Sequence, residues 1–346
     1  MKILFIGTDW VQKWILMQCL FEDSDEELEA TIIGQDTPEW FWVEMPRLKE
    51  YVGDERVAYQ QKSLADFDVS NGLNWDAIYI TNTEPESLNI LLALADAIKF
   101  TGPIILASSW QVYGWKKKKR TPIQETDKDL NPENNMAKRL LALEQVMLKY
   151  KSLQTVILRY AEVFGPYMPE GSEVIAMMID CLSSEEIDVY PPPARNYDWL
   201  HVKFIYGLVP KLLKRKFIGG GEVYNIGSGE EKKITWLANA LRKLTDSPAA
   251  INMHLPEDLY ENRGYHSLLD CSKAKQLLQY EPDGIRIQSF LEVCRWVEKD
   301  LPPLERAELE NKQAPALEDT YPTLKPEWGT DRMQIKEEEE DGLSTN

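Results

Sequence analysis

The sequence predicts an α/β protein, a Rossmann-type doubly wound parallel sheet with a small interleaved C-terminal α/β subdomain, and three observations carry that prediction. Short apolar runs alternate with helix-period segments through the first half of the chain, the pattern of successive βαβ units. The first run, Lys2-Ile3-Leu4-Phe5-Ile6, leads directly into a turn that opens on Gly7 and then into an apolar helix. At 346 residues the chain is long enough to bury a full core.

The elements follow in order. Strands are expected at Ile3–Ile6, Thr31–Gly34, Val57–Gln60, Ala77–Thr81, Ile104–Ala107 and Thr155–Leu158. Helices are expected between them at Val11–Phe21, Glu86–Phe100 and Asn135–Tyr150. Leu88, Leu91, Leu92, Ala95 and Ile98 put an apolar stripe on one face of the second helix. After Gly165-Pro166 the pattern becomes irregular: a helix at Glu173–Leu182, a strand at Ile187–Tyr190, then helices at Val202–Lys214, Thr235–Leu244, Ser272–Leu278 and Ile287–Val297. From about Leu301 proline and charge dominate and periodicity ends. The division expected is a sheet domain over 1–170, a C-terminal subdomain over 171–300 that returns segments to the sheet, and an acidic, disordered tail over 301–346.

Composition narrows the function classes. Hydrophobic content of 43% with 28% charged residues belongs to a globular chain. A net charge of −18 argues against nucleic-acid binding, which needs a basic face. No apolar run reaches the roughly 18 residues of a membrane span. The chain enters its first strand without a basic leader, so a cytoplasmic location is expected. Cys19, Cys181, Cys271 and Cys294 lie far apart, as reduced, buried thiols would. His254 and His266 lack metal-ligand spacing, so no metal site is expected.

The chemistry-bearing segments come later. Ser108-Ser109-Trp110-Gln111-Val112-Tyr113-Gly114 follows a strand. Pro122-Ile123-Gln124-Glu125, Lys138 with Glu144 on one helix, and Leu158-Arg159-Tyr160-Ala161-Glu162-Val163-Phe164-Gly165-Pro166 come next. Asp198-Trp199-Leu200-His201-Val202, Val223-Tyr224-Asn225-Ile226-Gly227-Ser228-Gly229 and Asp270-Cys271-Ser272-Lys273-Ala274 complete the series. In this order, over residues 1 to about 300, they resemble the extended short-chain dehydrogenase/reductases, specifically the NAD-dependent epimerase/dehydratase family of nucleotide-sugar enzymes.

That resemblance implies NAD as cofactor and a nucleotide sugar or related small molecule as ligand. It also implies a serine–tyrosine–lysine proton-transfer site, in which the lysine lowers the phenol pKa and holds the nicotinamide ribose. Ser109 matches the serine and Lys138 the lysine, but Asn134 stands where the tyrosine should be. An amide has no proton to exchange near neutral pH, so the usual transfer is expected to be absent. In the cofactor turn Gly7-Thr8-Asp9-Trp10-Val11-Gln12-Lys13, Gly7 matches the first glycine. Trp10 and Lys13 take the second and third places, where bulk crowds the pyrophosphate and pushes the helix from the sheet.

Asp36 matches the acid that bonds the adenosine ribose, or is a turn aspartate before Thr37-Pro38. Ser63 stands where the family often has an adenine-contacting aspartate, and Trp110-Gln111 replace the Asp-Glu of the dehydratases. Tyr113, Glu162, Arg195 and Tyr197 are the expected substrate contacts, with Arg195 standing in for an arginine that grips the diphosphate. His201 matches a packing position. The run Lys116–Arg120 reads as a loop at the site mouth, either solvated or gathering a phosphate or acidic partner.

Three functions stay open: a family member that has lost the redox mechanism and binds or regulates; an active nucleotide-sugar epimerase or reductase with substituted residues; and a protein-interaction module that keeps only the fold. The helices at Glu86–Phe100 and Asn135–Tyr150 would allow a homodimer.

Overall fold

The computed structural model describes residues 1–300 apart from 23–27, 39–40, 42–47, 69–72, 118–120, 170, 184–185, 190–194, 218–219 and 255–264. The acidic tail therefore lies outside the described residues, as do Lys118–Arg120 of the basic run.

The first half runs β1 (Lys2–Ile6), α1 (Trp10–Glu22), β2 (Glu29–Gly34), β3 (Val57–Gln61), β4 (Ala77–Ile80), α2 (Pro85–Ala97), β5 (Pro103–Ser109), β6 (Lys116–Lys117), α3 (Asn135–Met147) and β7 (Gln154–Tyr160). The second half runs β8 (Glu162–Phe164), α4 (Glu173–Ser183), β9 (Ile187–Val189), β10 (Arg195–Tyr197), β11 (Trp199–His201), α5 (Lys203–Tyr206) and α6 (Val209–Leu213). It continues with β12 (Glu222–Ile226), β13 (Lys232–Lys233), α7 (Ile234–Leu244), β14 (Ile251–Met253), β15 (Tyr265–His266), α8 (Ser272–Leu278) and α9 (Ile287–Asp300).

Seven strands form one parallel sheet in the order β12-β7-β5-β4-β1-β2-β3. Alternate residues serve opposite faces: Ile3 and Phe5 pack into one core, Leu4 and Ile6 into the other. Both faces are covered, so the strands read as continuous apolar runs. The strand order reverses between β1 and β4, and in such sheets ligands bind beyond the carboxyl ends at that point. Gly7, Asp36 and Thr81 follow strands there, and Ser109 ends β5.

The late strands build smaller sheets: β13-β10-β15-β6, β11-β8 and β14-β9. The β8–β11 pair follows directly from the end of β7. Two expectations are corrected. The helix predicted over Val202–Lys214 is two short helices, because Pro210 at the start of α6 cannot extend the hydrogen bonding of α5. Lys116 and Lys117 are not loop but β6, antiparallel to β15. The Lys116 ammonium is held by the Asp129 carbonyl and, at 3.2 Å, by the Asp129 carboxylate.

Candidate active site

The glycine turn has little slack. Gly7 has φ +107, and a Cβ there would lie 2.1 Å from Thr81 Oγ1, so only glycine fits. Gln12, 1% exposed, donates its amide to the Gly7 carbonyl at 2.5 Å and accepts from Thr81 Oγ1 at 3.2 Å, bracing the turn from below. Asp9 caps α1: its Oδ1 accepts the Gln12 N–H at 2.8 Å. Burial against the turn raises its carboxyl above the usual range, against hydrogen bonds from Gln12 and Thr81 that lower it, although one edge stays open to solvent.

Trp10 is half-buried, and its Cζ3 lies 3.5 Å from where a Cβ on Gly165 would sit, so the ring reaches the Gly165-Pro166 corner. One turn later Trp14 donates to the Pro166 carbonyl at 3.1 Å and stacks on Tyr206. Lys13 is fully buried with its ammonium 5.2 Å from the Phe41 ring centroid. Asp36 is exposed, and its carbonyl takes the Tyr59 hydroxyl at 2.6 Å. Ser63 caps a single helical turn at Leu64–Asp66 and bonds Asp66.

At the proton-transfer position, Asn134 is the N-cap of α3. Its Oδ1 accepts the Ala137 N–H at 2.7 Å and its Nδ2 donates to Gln111 Oε1 at 2.9 Å. Gln111 in turn donates its backbone N–H to Ser109 Oγ at 3.2 Å. Ser109, Gln111 and Asn134 thus form one linked set in which the amide has a structural partner on each side. Lys138 is exposed one turn into α3, and its ammonium has no hydrogen bond or ion pair among the described residues.

Glu162, Arg195 and Tyr197 do come together, joined by Glu173 from the first turn of α4. Arg195 Nη1 donates to Tyr197 Oη at 2.9 Å, and that hydroxyl donates to Glu173 Oε2 at 3.3 Å. Glu162 Oε2 accepts from Trp110 Nε1 at 3.0 Å. Desolvation pushes the Glu162 carboxyl up to about 7, and Glu173 beside it pushes the same way while Arg195 opposes. Burial also raises Glu173, opposed by Arg195 and Tyr197. The Trp110, Trp115 and Tyr197 rings wall the cluster, with Trp110–Trp115 centroids 4.6 Å apart.

Tyr113 is not at this surface. It is fully buried, donates to Asn225 Oδ1 at 2.7 Å, and lies under the Arg159 guanidinium, 4.6 Å from its ring centroid. Burial pushes its hydroxyl up to about 12, so a substrate-lining or acid role does not suit it. It belongs to a buried chain instead. Asn225 donates its N–H to Glu125 Oε1 at 2.9 Å, Arg159 pairs with Glu144 at 2.5 Å, and Ser108 donates to Glu144 Oε1 at 2.6 Å. Asp198 forms a second knot, accepting both Ser228 N–H and Oγ at 2.7 Å.

His201 is buried against Phe164, and desolvation lowers it to about 4, which suits packing. His254 bonds Asp188 at 2.9 Å and His266 is buried in β15. All four cysteines are buried thiols outside any disulfide among the described residues. Among the described residues no His, Cys, Asp or Glu cluster could hold a metal, and no helix is long and apolar enough to cross a membrane.

Sequence reasoning missed Glu173, Gln111 and Gln12. Glu173 and Gln111 meet their partners only through tertiary contacts, which no local pattern reports. The cap at Asn134 was readable, because an asparagine directly before an apolar-periodic helix is an N-cap signature.

A seven-stranded parallel sheet with a switch point and a glycine turn ahead of α1 define a Rossmann-type α/β protein. Residues 70–227 match the model of the NAD dependent epimerase/dehydratase family. UDP-N-acetyl-alpha-D-glucosaminuronate decarboxylase of Bacillus cytotoxicus is 28% identical over 222 residues, 60% of this chain and 66% of that protein. An uncharacterized UDP-glucose epimerase of Bacillus subtilis is 22% identical over 307 residues, 82% of this chain and 93% of that one.

Among solved structures, dTDP-glucose 4,6-dehydratase of Bacillus anthracis, in complex with NAD, aligns with a TM-score of 0.73 at 19% identity, covering 89% of this chain and 99% of that one. UDP-glucuronic acid 4-epimerase of Bacillus cereus, with UDP-glucuronic acid and NAD, aligns with a TM-score of 0.69 at 19% identity, covering 86% and 99%. At such identities the structural likeness speaks to the fold. The similarity to the NAD dependent epimerase/dehydratase family thus lies in residues 70–227, and the two relatives that match carry nucleotide-sugar names.

Proposed function

We propose that this chain is a nucleotide-sugar epimerase/dehydratase-family protein that has left the standard redox cycle and acts by binding, as a regulatory or assembly component. The observation that supports this most is Asn134, whose amide caps α3 and bonds Gln111 where the mechanism needs an exchangeable phenol. The head of α1 supports it independently. A dinucleotide pyrophosphate seeks a helix N-terminus with free N–H groups and no competing anion. Here Asp9 places its own carboxylate there and takes the Gln12 N–H, and Trp10 extends from the same turn to Gly165. These residues do not fit the pyrophosphate of NAD, so no chemical step is derived through it.

A second reading, an active enzyme with substituted residues, draws on Lys138 and Ser109. Lys138 is exposed and uncommitted among the described residues, and the Ser109 hydroxyl proton is not used by the Gln111 contact. Turnover assays on UDP-glucose and dTDP-glucose with added NAD separate the two. The binding reading predicts no turnover above background. Turnover comparable with an ordinary epimerase, abolished by Lys138→Ala and Ser109→Ala, would establish the second. A homodimer through α2 and α3, which leave Ile90 64% and Met136 55% exposed, belongs to either reading and is checked by sedimentation.

A further inference from the structure

Four half-buried rings join into one belt across α1, α5 and α9. Trp14 of α1 stacks on Tyr206 of α5 with centroids 5.3 Å apart, and on its other side meets Tyr167 at 5.9 Å. Tyr167 in turn meets Trp296 of α9 at 5.4 Å. Tyr167 stands on a left-handed backbone, φ +65, a conformation costly for a bulky residue. All four rings pack against the core and stay partly open to solvent. Joined rings left open in this way form a contact surface, unlike apolar side chains scattered singly.

The chain itself supplies an occupant. α9 ends at Asp300, one turn past Trp296, so the chain leaves the helix on the side of the belt. Residues 301–346 lie outside the described residues, and they open on Leu301-Pro302-Pro303-Leu304. Proline cannot extend α9, because it lacks an N–H and clashes with the preceding turn. A Pro-Pro step favours an extended polyproline backbone, the shape that aromatic-lined surfaces recognise at low entropic cost. Four such residues reach about 12 Å, enough for the steps from Trp296 to Tyr167 and on to Trp14. The hydrogen bonding matches as well. Pro302 and Pro303 offer carbonyls and no N–H, while the Trp296 indole N–H, a donor only, has no hydrogen-bond partner among the described residues.

We infer that Leu301–Leu304 folds back over the Trp14–Tyr167–Trp296 belt, so that the chain covers its own aromatic surface. The inference does not depend on the nucleotide-sugar reading. The test is hydroxyl-radical labelling of the full chain, read residue by residue by mass spectrometry, with the wild type beside a Leu301→Ser/Leu304→Ser variant. Labelling of Trp14, Tyr167 and Trp296 should rise severalfold in the variant. Trp75, which packs on the other face of the sheet, should be labelled equally in both. Leu304→Ser alone serves if the double variant does not fold. Equal labelling of the three belt residues in wild type and folded variant overturns the inference. Labelling of the wild type that rises on dilution overturns it too, because the cover is then a second copy of the chain.

Discussion

Two polar regions meet at α3, and they differ in kind. Beneath the sheet end, Ser108, Glu144, Arg159, Tyr113, Asn225 and Glu125 form a continuous buried chain that ties β5, α3, β7 and β12 together. At the rim, Ser109, Gln111 and Asn134 satisfy one another locally, Asp9 caps α1 through the Gln12 N–H, and Lys138 stands exposed. The buried chain draws its residues from the sequence segments that resemble the epimerase/dehydratase family. Those motifs hold the scaffold, so they can be intact whatever chemistry the rim supports.

Breaking the buried region should therefore cost far more than altering the rim. Glu144→Ala leaves Arg159 buried without its carboxylate, and urea denaturation should show a loss of about 3–5 kcal/mol. A loss comparable with that of a surface change would mean the buried pair does not hold the two regions apart in stability.

The next effect is pH-dependent. Burial pushes the folded Glu162 carboxyl up to about 7, above the ordinary glutamate value of about 4.3. Between these values the native state holds the proton more tightly than the unfolded state, so stability falls as pH rises through that window and levels off above it. Glu162→Gln removes this penalty. Its melting temperature should exceed that of the wild type at pH 8, by the equivalent of about 1–2 kcal/mol, and the difference should vanish near pH 4. A difference independent of pH would show that Glu162 is not held in the described environment.

At the rim, Asn134→Ala removes a helix cap and should cost about 1 kcal/mol in chemical denaturation. Asn134→Tyr introduces the tyrosine that the resemblance implies but, on the proposed reading, should give no turnover, because Asp9 and Trp10 still occupy the head of α1; turnover from that change alone would break the cofactor argument. Smallest of all, Lys138→Ala should shift stability by less than about 0.5 kcal/mol.

Much of this was legible beforehand, for physical reasons. The six early strands and three early helices follow from apolar periodicity, and the observed elements differ from expectation by a few residues at their ends. Asn134 was read as a missing tyrosine, which left its role as a cap unseen. Tyr113 shows the opposite limit: its sequence position beside Ser109 points to the site, yet the turn at Trp110–Tyr113 carries its side chain down to Asn225. Glu173 is drawn to Arg195 and Tyr197 from a separate helix, a meeting set by packing of α4 and invisible to any spacing rule.

The account depends most on the head of α1, and calorimetric titration of the purified full chain with NAD and NADH addresses it directly. The expected result, on the proposal that Asp9 and Trp10 do not fit a pyrophosphate, is no binding tighter than about 1 mM. A dissociation constant near about 1 µM for either dinucleotide would contradict it.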